Sequence, residues 1–373
     1  MLKVDRRHVD LIHHAIQSLN VPVIDITTAK ETLLITLHKA MRLEASTIPP
    51  YYVAAWSVQY SPNYQNAEIR DLIAGVSKEE MLHMMSIANI ISATGKVPDI
   101  ATKEIVLDWG VSTLPIGGDI VPSLSPFSME LLTDLFMEIE KPIDPKHYVV
   151  LKPPVAKFKA LDFEEEFATI GEFYDALIEL INTFPVDPFE NADVNKQINI
   201  SDDPRLGTIE HSPITDFIVT NKVQAIEILQ WIIDQGEGST NGPMDGNRIP
   251  AHYYRFAEIY KGGKLVEAPS QPLGYAYDKV NFPIDCDFSK VIEFKSNPKM
   301  TDFPVGSGHY NGLKAFNEQY TLMFEQLQAF YKDGDVQKMK DSLSTMKNMG
   351  SFVPRLLSLD PPVCPSFEWI STP

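Results

Sequence analysis

The segment Glu79-Glu80-Met81-Leu82-His83 has the clearest potential for metal chemistry in the sequence. In a helix, Glu80 and His83 share one face, because residues at spacings i and i+3 are neighbours. Val76 and Ile87 lie on the same face and are apolar, so the face should point inward. A buried carboxylate needs a partner, and Glu-x-x-His is the spacing that carboxylate-bridged dimetal sites use. A partly exposed salt-bridging pair remains the alternative.

Glu44 is a second carboxylate on an apolar helix face. It continues the stripe of Leu33, Leu37 and Met41, whose spacing is typical of a helix with one buried side. This pattern predicts that Glu44 points into the interior, where it could meet Glu80 and His83. A boundary residue near a helix end is the alternative interpretation.

A third candidate is Glu172, which lies in the middle of a predicted helix directly after Gly171. Gly171 lowers helix propensity and would permit a close helix approach near a site. Periodicity does not separate Glu172 from Glu165 or Glu179, because the three share one face at a spacing of seven.

The last candidates are Glu237, which stands between two glycines, and His252, which follows a loop. A glutamate in that position is unusual for an exposed helix surface, although a helix C-cap with a solvated charge is the alternative. Glu227 on the same predicted helix is a fallback ligand. Gln230 occupies the position where a second Glu-x-x-His would place histidine.

Helical periodicity recurs along most of the chain and predicts a mainly α protein. A helix should begin near Thr28, and Pro49 and Pro50 should kink or end it. The stretches 96–160 and 261–307 are rich in proline or glycine and should be largely irregular. Further helices are predicted at 66–93, 128–139, 163–183, 213–235, 252–260, 309–333 and 335–349.

Composition excludes several partners. The 373 residues carry a formal net charge of -18, which argues against nucleic acid and against an anionic membrane surface. There is no apolar run of about 20 residues, the length that a membrane span needs. The N-terminus has no signal-peptide core, and Cys286 and Cys364 do not form a motif for zinc. We therefore expect a cytoplasmic protein.

The chain resembles the ferritin-like domain family of iminophenyl-pyruvate dimer synthases, which serve bisindole pigment biosynthesis, and of uncharacterised relatives. The similar strings occur in the family's order and cover about residues 28–260. They are LEASTIPPY from Leu43, EEMLHM from Glu79, NIISATG from Asn89, TIGEFY from Thr169, QGEG from Gln235 and HYYRF from His252. The resemblance implies the metal ligands Glu44, Glu80, His83, Glu172, Glu237 and His252. One departure is that Glu237 and His252 stand fifteen positions apart instead of forming a compact Glu-x-x-His.

The resemblance implies a ferritin-like four-helix bundle with long wrapping loops at residues 28–260, and helical patterning predicts a C-terminal extension at residues 261–373 with two helices packed on the bundle. Two Fe ions, with Mn as the alternative, would balance four glutamates. The implied function is an O2-dependent oxidase or oxygenase for a small, aromatic or amino-acid-derived metabolite, and the alternative is a ferroxidase or storage protein. Tyr51, Tyr52 and Trp56 would line a substrate pocket or simply pack in the core. The oligomeric state is open, with a homo-oligomer as one arrangement.

Overall fold

Long helices dominate the structure, a computed structural model that describes residues 26–116, 118–142, 149–150, 169–184, 186–199, 217–238, 242–245 and 248–370. This confirms the predicted mainly α class. The helices are α1 (Ile26–Ser57), α2 (Asn66–Ala93), α3 (Met129–Leu131, Leu132–Phe136 and Met137–Ile139 in succession), α4 (Ile170–Thr183), α5 (Lys222–Glu237), α6 (His252–Lys261), α7 (Gly308–Asp333), α8 (Val336–Met349) and α9 (Val353–Leu357). The strands are β1 (Val149–Val150), β2 (Gly263–Glu267) and β3 (Tyr275–Pro283).

Helices α1, α2, α4 and α5 form the bundle. Helix α1 packs on α2 and α4, and α5 packs on the same two helices, so the four surround one interior. The stripe that predicted α1 is buried at Leu33, Leu37 and Met41. Helix α6 packs against α2, α3 and α5 and thereby closes one side of the bundle.

Helix α1 continues through Pro49 and Pro50 to Ser57, so of the two predicted outcomes, a kink or an end, the end does not occur. Each proline lacks the amide donor that would bond the carbonyl four residues earlier. Burial on both sides of this point outweighs that loss, because Leu43 and Ala45 before the prolines and Tyr51 and Val53 after them are almost inaccessible to solvent. Packing against α2 therefore holds the helix together across the prolines.

Two further features differ from the sequence prediction, the start of α5 and the presence of strands. Helix α5 begins at Lys222 rather than near residue 213, because the side chain of Asn221 caps it by accepting a hydrogen bond from the Gln224 amide. The stretch 261–307 contains β2 and β3, which pair antiparallel, while β1 pairs parallel with β3. The segment 163–168 of the third predicted helix lies outside the described residues.

The C-terminal helices α7 and α8 occur where they were predicted and pack against each other. The hydroxyl of Tyr331 on α7 donates to the Met85 carbonyl and Asn89 Oδ1 of α2, at 3.2 and 3.1 Å. The domain boundary at residue 260 stays a prediction. Of the helices that the structure describes, none is long and apolar enough to span a lipid bilayer.

Candidate metal centre

Two groups of carboxylates and imidazoles meet in the interior and share Glu80. One contains Glu44, Glu80 and His83, and the other contains Glu80, Glu140 and His252. In each group the potential ligand atoms lie within 4.8 Å of one another, and all five residues are buried. Helix α1 supplies Glu44, α2 supplies Glu80 and His83, the end of α3 supplies Glu140 and α6 supplies His252. A shared carboxylate between two groups is the arrangement expected of a dimetal site.

The two imidazoles have the same orientation toward Glu80. His83 Nδ1 lies 3.5 Å from both Glu44 Oε2 and Glu80 Oε2. His252 Nδ1 lies 2.7 Å from Glu80 Oε1 and 3.4 Å from Glu140 Oε2. The rings face each other with centroids 5.6 Å apart. Both Nδ1 atoms therefore point into the ring of carboxylates.

The other nitrogen of each imidazole is held from outside the cluster. His83 Nε2 lies 2.8 Å from the amide oxygen of Gln235, and His252 Nε2 lies 2.7 Å from Glu79 Oε2. The guanidinium of Arg255 also donates to Glu79. Metal-binding histidines usually donate their second N–H to such an acceptor, which fixes the tautomer. Gln235 and Glu79 thus leave the Nδ1 lone pairs free for a cation.

The donor set passes a test of its fit to a metal. His252 Nδ1 is buried and has no hydrogen-bond partner among the described residues. The Glu80 carboxylate lies 2.7 Å away, but its geometry does not make a hydrogen bond to this nitrogen. A buried polar atom in that position is costly unless something other than a hydrogen bond satisfies it. A cation between the nitrogen and the carboxylates would do so.

Without metal, the cluster balances its charges with protons. Burial and the neighbouring Glu80 charge raise the pKa of Glu44 to about 8, and burial and Glu80 also raise that of Glu140. Burial would lower the pKa of His83, but Glu80 and Glu44 outweigh it and raise the value to about 10. The pKa of His252 is raised for the same reason. Burial would raise the pKa of Glu80, but the two imidazoles outweigh it and hold it well below its ordinary value.

Two tyrosines donate hydrogen bonds to the outer carboxylates. The Tyr51 hydroxyl bonds Glu140 Oε1 at 2.5 Å, and the Tyr174 hydroxyl bonds Glu44 Oε1. Burial, together with these carboxylates, raises the pKa of both phenols well above the ordinary value. Of the three residues proposed to line a substrate pocket, Tyr51 therefore faces the cluster. Tyr52 and Trp56 instead stack on each other on another face of α1.

Glu140 was missed by sequence reasoning, although a signal existed. It follows α3, where Leu132 and Phe136 are buried at a spacing of four, and Glu140 is the next position of that stripe. The same logic identified Glu44. The middle of α3 is a π-helical segment, Leu132–Phe136, and such segments frequently occur at functional sites. The short helix and the following Lys141-Pro142 obscured the periodicity.

The remaining predicted ligands belong to neither of the two groups. Glu172 is half-buried, whereas Glu227 is exposed on the outer side of α5. Glu237 Oε1 accepts a hydrogen bond of 2.7 Å from the Gly171 amide at the start of α4, and burial raises the pKa of Glu237 to about 8. A ligand role for Glu172 and Glu237 stays a prediction. The structure adds Glu140 as a candidate ligand, and the fallback Glu227 belongs to neither group.

A small cavity adjoins the first group of ligands. Its volume is about 30 Å³, and its walls include Glu44, Glu80, His83, Glu140 and Glu237. A space of this size holds about one water-sized molecule. Glu237 therefore borders the same cavity as the shared carboxylate without belonging to either three-residue group.

A family model agrees with this architecture. The family model described as Ferritin-like matches residues 37–261, more than half of the chain. A crystal structure of a ferritin like protein from Caulobacter vibrioides is 19% identical with a TM-score of 0.45, and the match covers 86% of this chain and 95% of that chain. No curated protein matches the sequence. The chain belongs to the ferritin-like family.

Proposed function

We propose that this protein is a di-iron, O2-dependent oxidase or oxygenase that acts on a small metabolite. The observation that carries the proposal is the pair of buried ligand groups that share Glu80 and orient both imidazoles inward. A protein that only needed a stable core would gain little from burying these charges together, because their desolvation is costly. Cations at the centre give the arrangement a physical reason.

Iron is the preferred metal because the donors are carboxylates and imidazoles without thiolates, and manganese is the alternative. Two ferrous ions, when bound, would supply electrons for the reduction of O2. The chain's part is to hold the ligands in a dry interior. Glu44, Glu80 and Glu140 would offset three of the four positive charges of two ferrous ions, and Glu237 at the cavity wall would remain a protonated carboxyl.

The protein also controls protons near the cavity. The phenol hydroxyls of Tyr51 and Tyr174 hold Glu140 and Glu44 by one oxygen each and leave the other oxygen toward His252 or His83. The Glu237 carboxyl, with its pKa raised to about 8 by burial, carries a proton at neutral pH. It is therefore placed to donate a proton to a molecule that occupies the cavity.

The substrate class rests on resemblance. The strings shared with iminophenyl-pyruvate dimer synthases support an aromatic or amino-acid-derived metabolite, and oxidative coupling of an indole or phenyl imine is the closest model. We expect no such substrate to enter the 30 Å³ cavity as a whole, since small-molecule pockets are about ten times larger. The substrate would instead give up its electrons from the edge of the site.

The same small cavity favours one second candidate, a ferroxidase that oxidises iron itself. Such a protein needs room for little more than O2 beside the ligands, and the cavity offers about that much. In this case the iron ions are the substrates, and the protein needs no pocket for an organic molecule beside the metal centre.

One experiment tests whether the centre exists. Purified protein is loaded with ferrous iron without air, freed of unbound metal and analysed for iron per chain. We expect about two irons per chain and a near-ultraviolet absorption change on exposure to O2. Glu80→Ala should lose both ions, because Glu80 belongs to both groups. Glu227→Ala is the control, since Glu227 is exposed on α5. Equal iron in the two variants would refute the dimetal proposal.

A second measurement separates the two functions. With an excess of ferrous iron and O2, a ferroxidase continues to consume oxygen and accumulates ferric iron. An oxidase stops after the bound ions have reacted and resumes when a reducing aromatic or indolic metabolite is added. Continued oxygen uptake with iron alone would replace the oxidase proposal by the ferroxidase.

A further inference from the structure

A second, larger cavity lies between the bundle and the C-terminal helices. Its volume is about 370 Å³, and α1, α2, α7 and α8 form its walls. This size falls in the range of small-molecule sites. It uses a different face of α1 from the metal centre, because Ile48, Tyr52 and Trp56 line it while Glu44, Thr47 and Tyr51 face the ligands.

The walls are apolar and rich in methionine. The methionines are Met81, Met84, Met85, Met323, Met346 and Met349. Methionine side chains are flexible and polarizable, and they adapt to apolar ligands of different shapes. Ser342 is one of the few polar residues of the wall, and its hydroxyl already donates to the Met323 carbonyl at 2.8 Å. The interior therefore suits the hydrocarbon or aromatic part of a ligand, provided that this part carries no polar groups.

The edge of the cavity has a different chemistry from its interior. Lys78 on α2 and Lys347 on α8 both line it and are exposed to solvent. Among the described residues, neither ammonium group has a carboxylate within ion-pair distance, even though the chain as a whole has a net charge of -18. Two unpaired lysines beside an apolar cavity are complementary to an anionic group on an apolar molecule.

We propose that this cavity binds an amphiphilic monoanion, a molecule with an apolar body and a carboxylate of the fatty-acid type. The body would occupy the methionine-rich interior, and Lys78 and Lys347 would hold the carboxylate at the solvent edge. The site does not depend on the function proposed for the metal centre, because it contains none of the ligands Glu44, Glu80, His83, Glu140 or His252.

The test uses dodecanoate below its micelle concentration, titrated into the full chain by calorimetry. We expect saturable binding with one site per chain. Met346→Trp should fill the cavity and weaken binding about tenfold or more, because displacing two methylene groups from apolar contact costs that much. Met339→Trp is the matched control, since Met339 is half-buried on the same helix and does not line the cavity. If Met346→Trp does not fold, Met81→Trp fills the cavity from the opposite wall.

Charge is tested separately with Lys78→Gln/Lys347→Gln. Removing both ammonium groups should weaken dodecanoate binding about 3- to 10-fold, in line with the strength of exposed ion pairs, and leave dodecanol binding unchanged. Lys96→Gln/Lys338→Gln removes the same charge from exposed positions outside the cavity and should have no effect. The proposal is overturned if dodecanoate does not bind, if Met346→Trp binds it normally, or if dodecylammonium binds as tightly as dodecanoate. Glu80→Ala should keep dodecanoate binding, so loss of the metal centre would not be mistaken for failure of this site.

Discussion

Protonation of the clustered carboxylates and imidazoles would link metal binding to pH. In the metal-free protein the raised pKa values of His83, about 10, and Glu44, about 8, keep both groups protonated at pH 7, and His252 is raised as well. Cation binding requires neutral imidazole nitrogens and ionised carboxylates. Each bound metal must therefore displace protons, and metal affinity should increase as the pH rises from 6 to 8.

We predict that loading with Co²⁺ at pH 7 releases about three protons per chain, one from each of these three groups. Calorimetric titrations in two buffers with different ionisation enthalpies measure the number directly. His83→Ala should reduce it by about one proton. A heat of binding that does not depend on the buffer would show that these side chains do not bind the metal.

Glu140 and Glu172 provide a second prediction at the residue scale. Glu140 belongs to the group around His252, whereas Glu172 is half-buried and belongs to neither group. Replacement of an outer partner typically costs 10- to 100-fold in metal affinity, so Glu140→Gln, which removes a ligand, should cost at least about 100-fold. Glu172→Gln should leave the affinity unchanged. The reverse result would restore Glu172 as the ligand that the sequence resemblance implied.

The residues that sequence reasoning brought to the centre share one property. Glu44, Glu80 and His83 extend apolar stripes on long helices, where a period of 3.6 residues defines the buried face. His252 begins α6 and has no preceding apolar stripe, so the resemblance and not periodicity implied its role as a ligand. Glu140 was missed because the helix before it is short, so the stripe of Leu132, Phe136 and Glu140 spans only about two turns and stops before Lys141 and Pro142. So short a stripe does not define a buried face by itself.

At the scale of elements, α4 and α5 meet through a glycine. A Cβ atom at Gly171 would overlap with Glu237 Oε2, so a side chain there must displace the carboxylate that now accepts from the Gly171 amide. Because leaving this buried pair unsatisfied costs about 1–3 kcal/mol, Gly171→Ala should lower the free energy of unfolding despite the better helix propensity of alanine.

The control for Gly171 is Gly75, which lies inside α2 and where an added Cβ atom would have no neighbour within 4 Å. Gly75→Ala should raise the free energy of unfolding by up to about 1 kcal/mol. Urea denaturation of both metal-free variants compares the two effects. If both alanines stabilise the protein equally, the carboxylate of Glu237 moves aside without cost, and its contact with α4 does not matter for stability.

The elements differ in how far local sequence determines them. Helices α2, α7 and α8 were predicted because each combines long apolar periodicity with a clear stop, such as Gly334 after α7. The prolines of α1 do not end the helix, although local propensity favours a break, because packing with α2 opposes it. Strands β2 and β3 were missed because their pairing joins residues across a turn, and β3 has a single run of buried residues.

At the scale of the whole molecule, the C-terminal helices share one continuous core with the bundle. Phe316, Phe324 and Tyr331 of α7 belong to the same buried cluster as Leu37 and Met84 of the bundle. Gln328 of α7 also accepts hydrogen bonds from the backbone amides of residues 100 and 101. The family match ends at residue 261, but the packing does not end there.

We predict that a chain truncated after Lys261 does not keep the bundle stable. Removing α7 and α8 would expose the apolar faces of α1 and α2 that they cover, and each fully buried apolar side chain lost to water costs about 1.5–3 kcal/mol. Several such side chains exceed the usual stability of a domain, about 5–15 kcal/mol. Circular dichroism and gel filtration of the truncated chain, beside the full chain, measure the effect. A truncated protein that remains monomeric, helical and able to bind two metal ions would instead establish residues 28–260 as an independent domain, because its core would then be sufficient without the C-terminal cover.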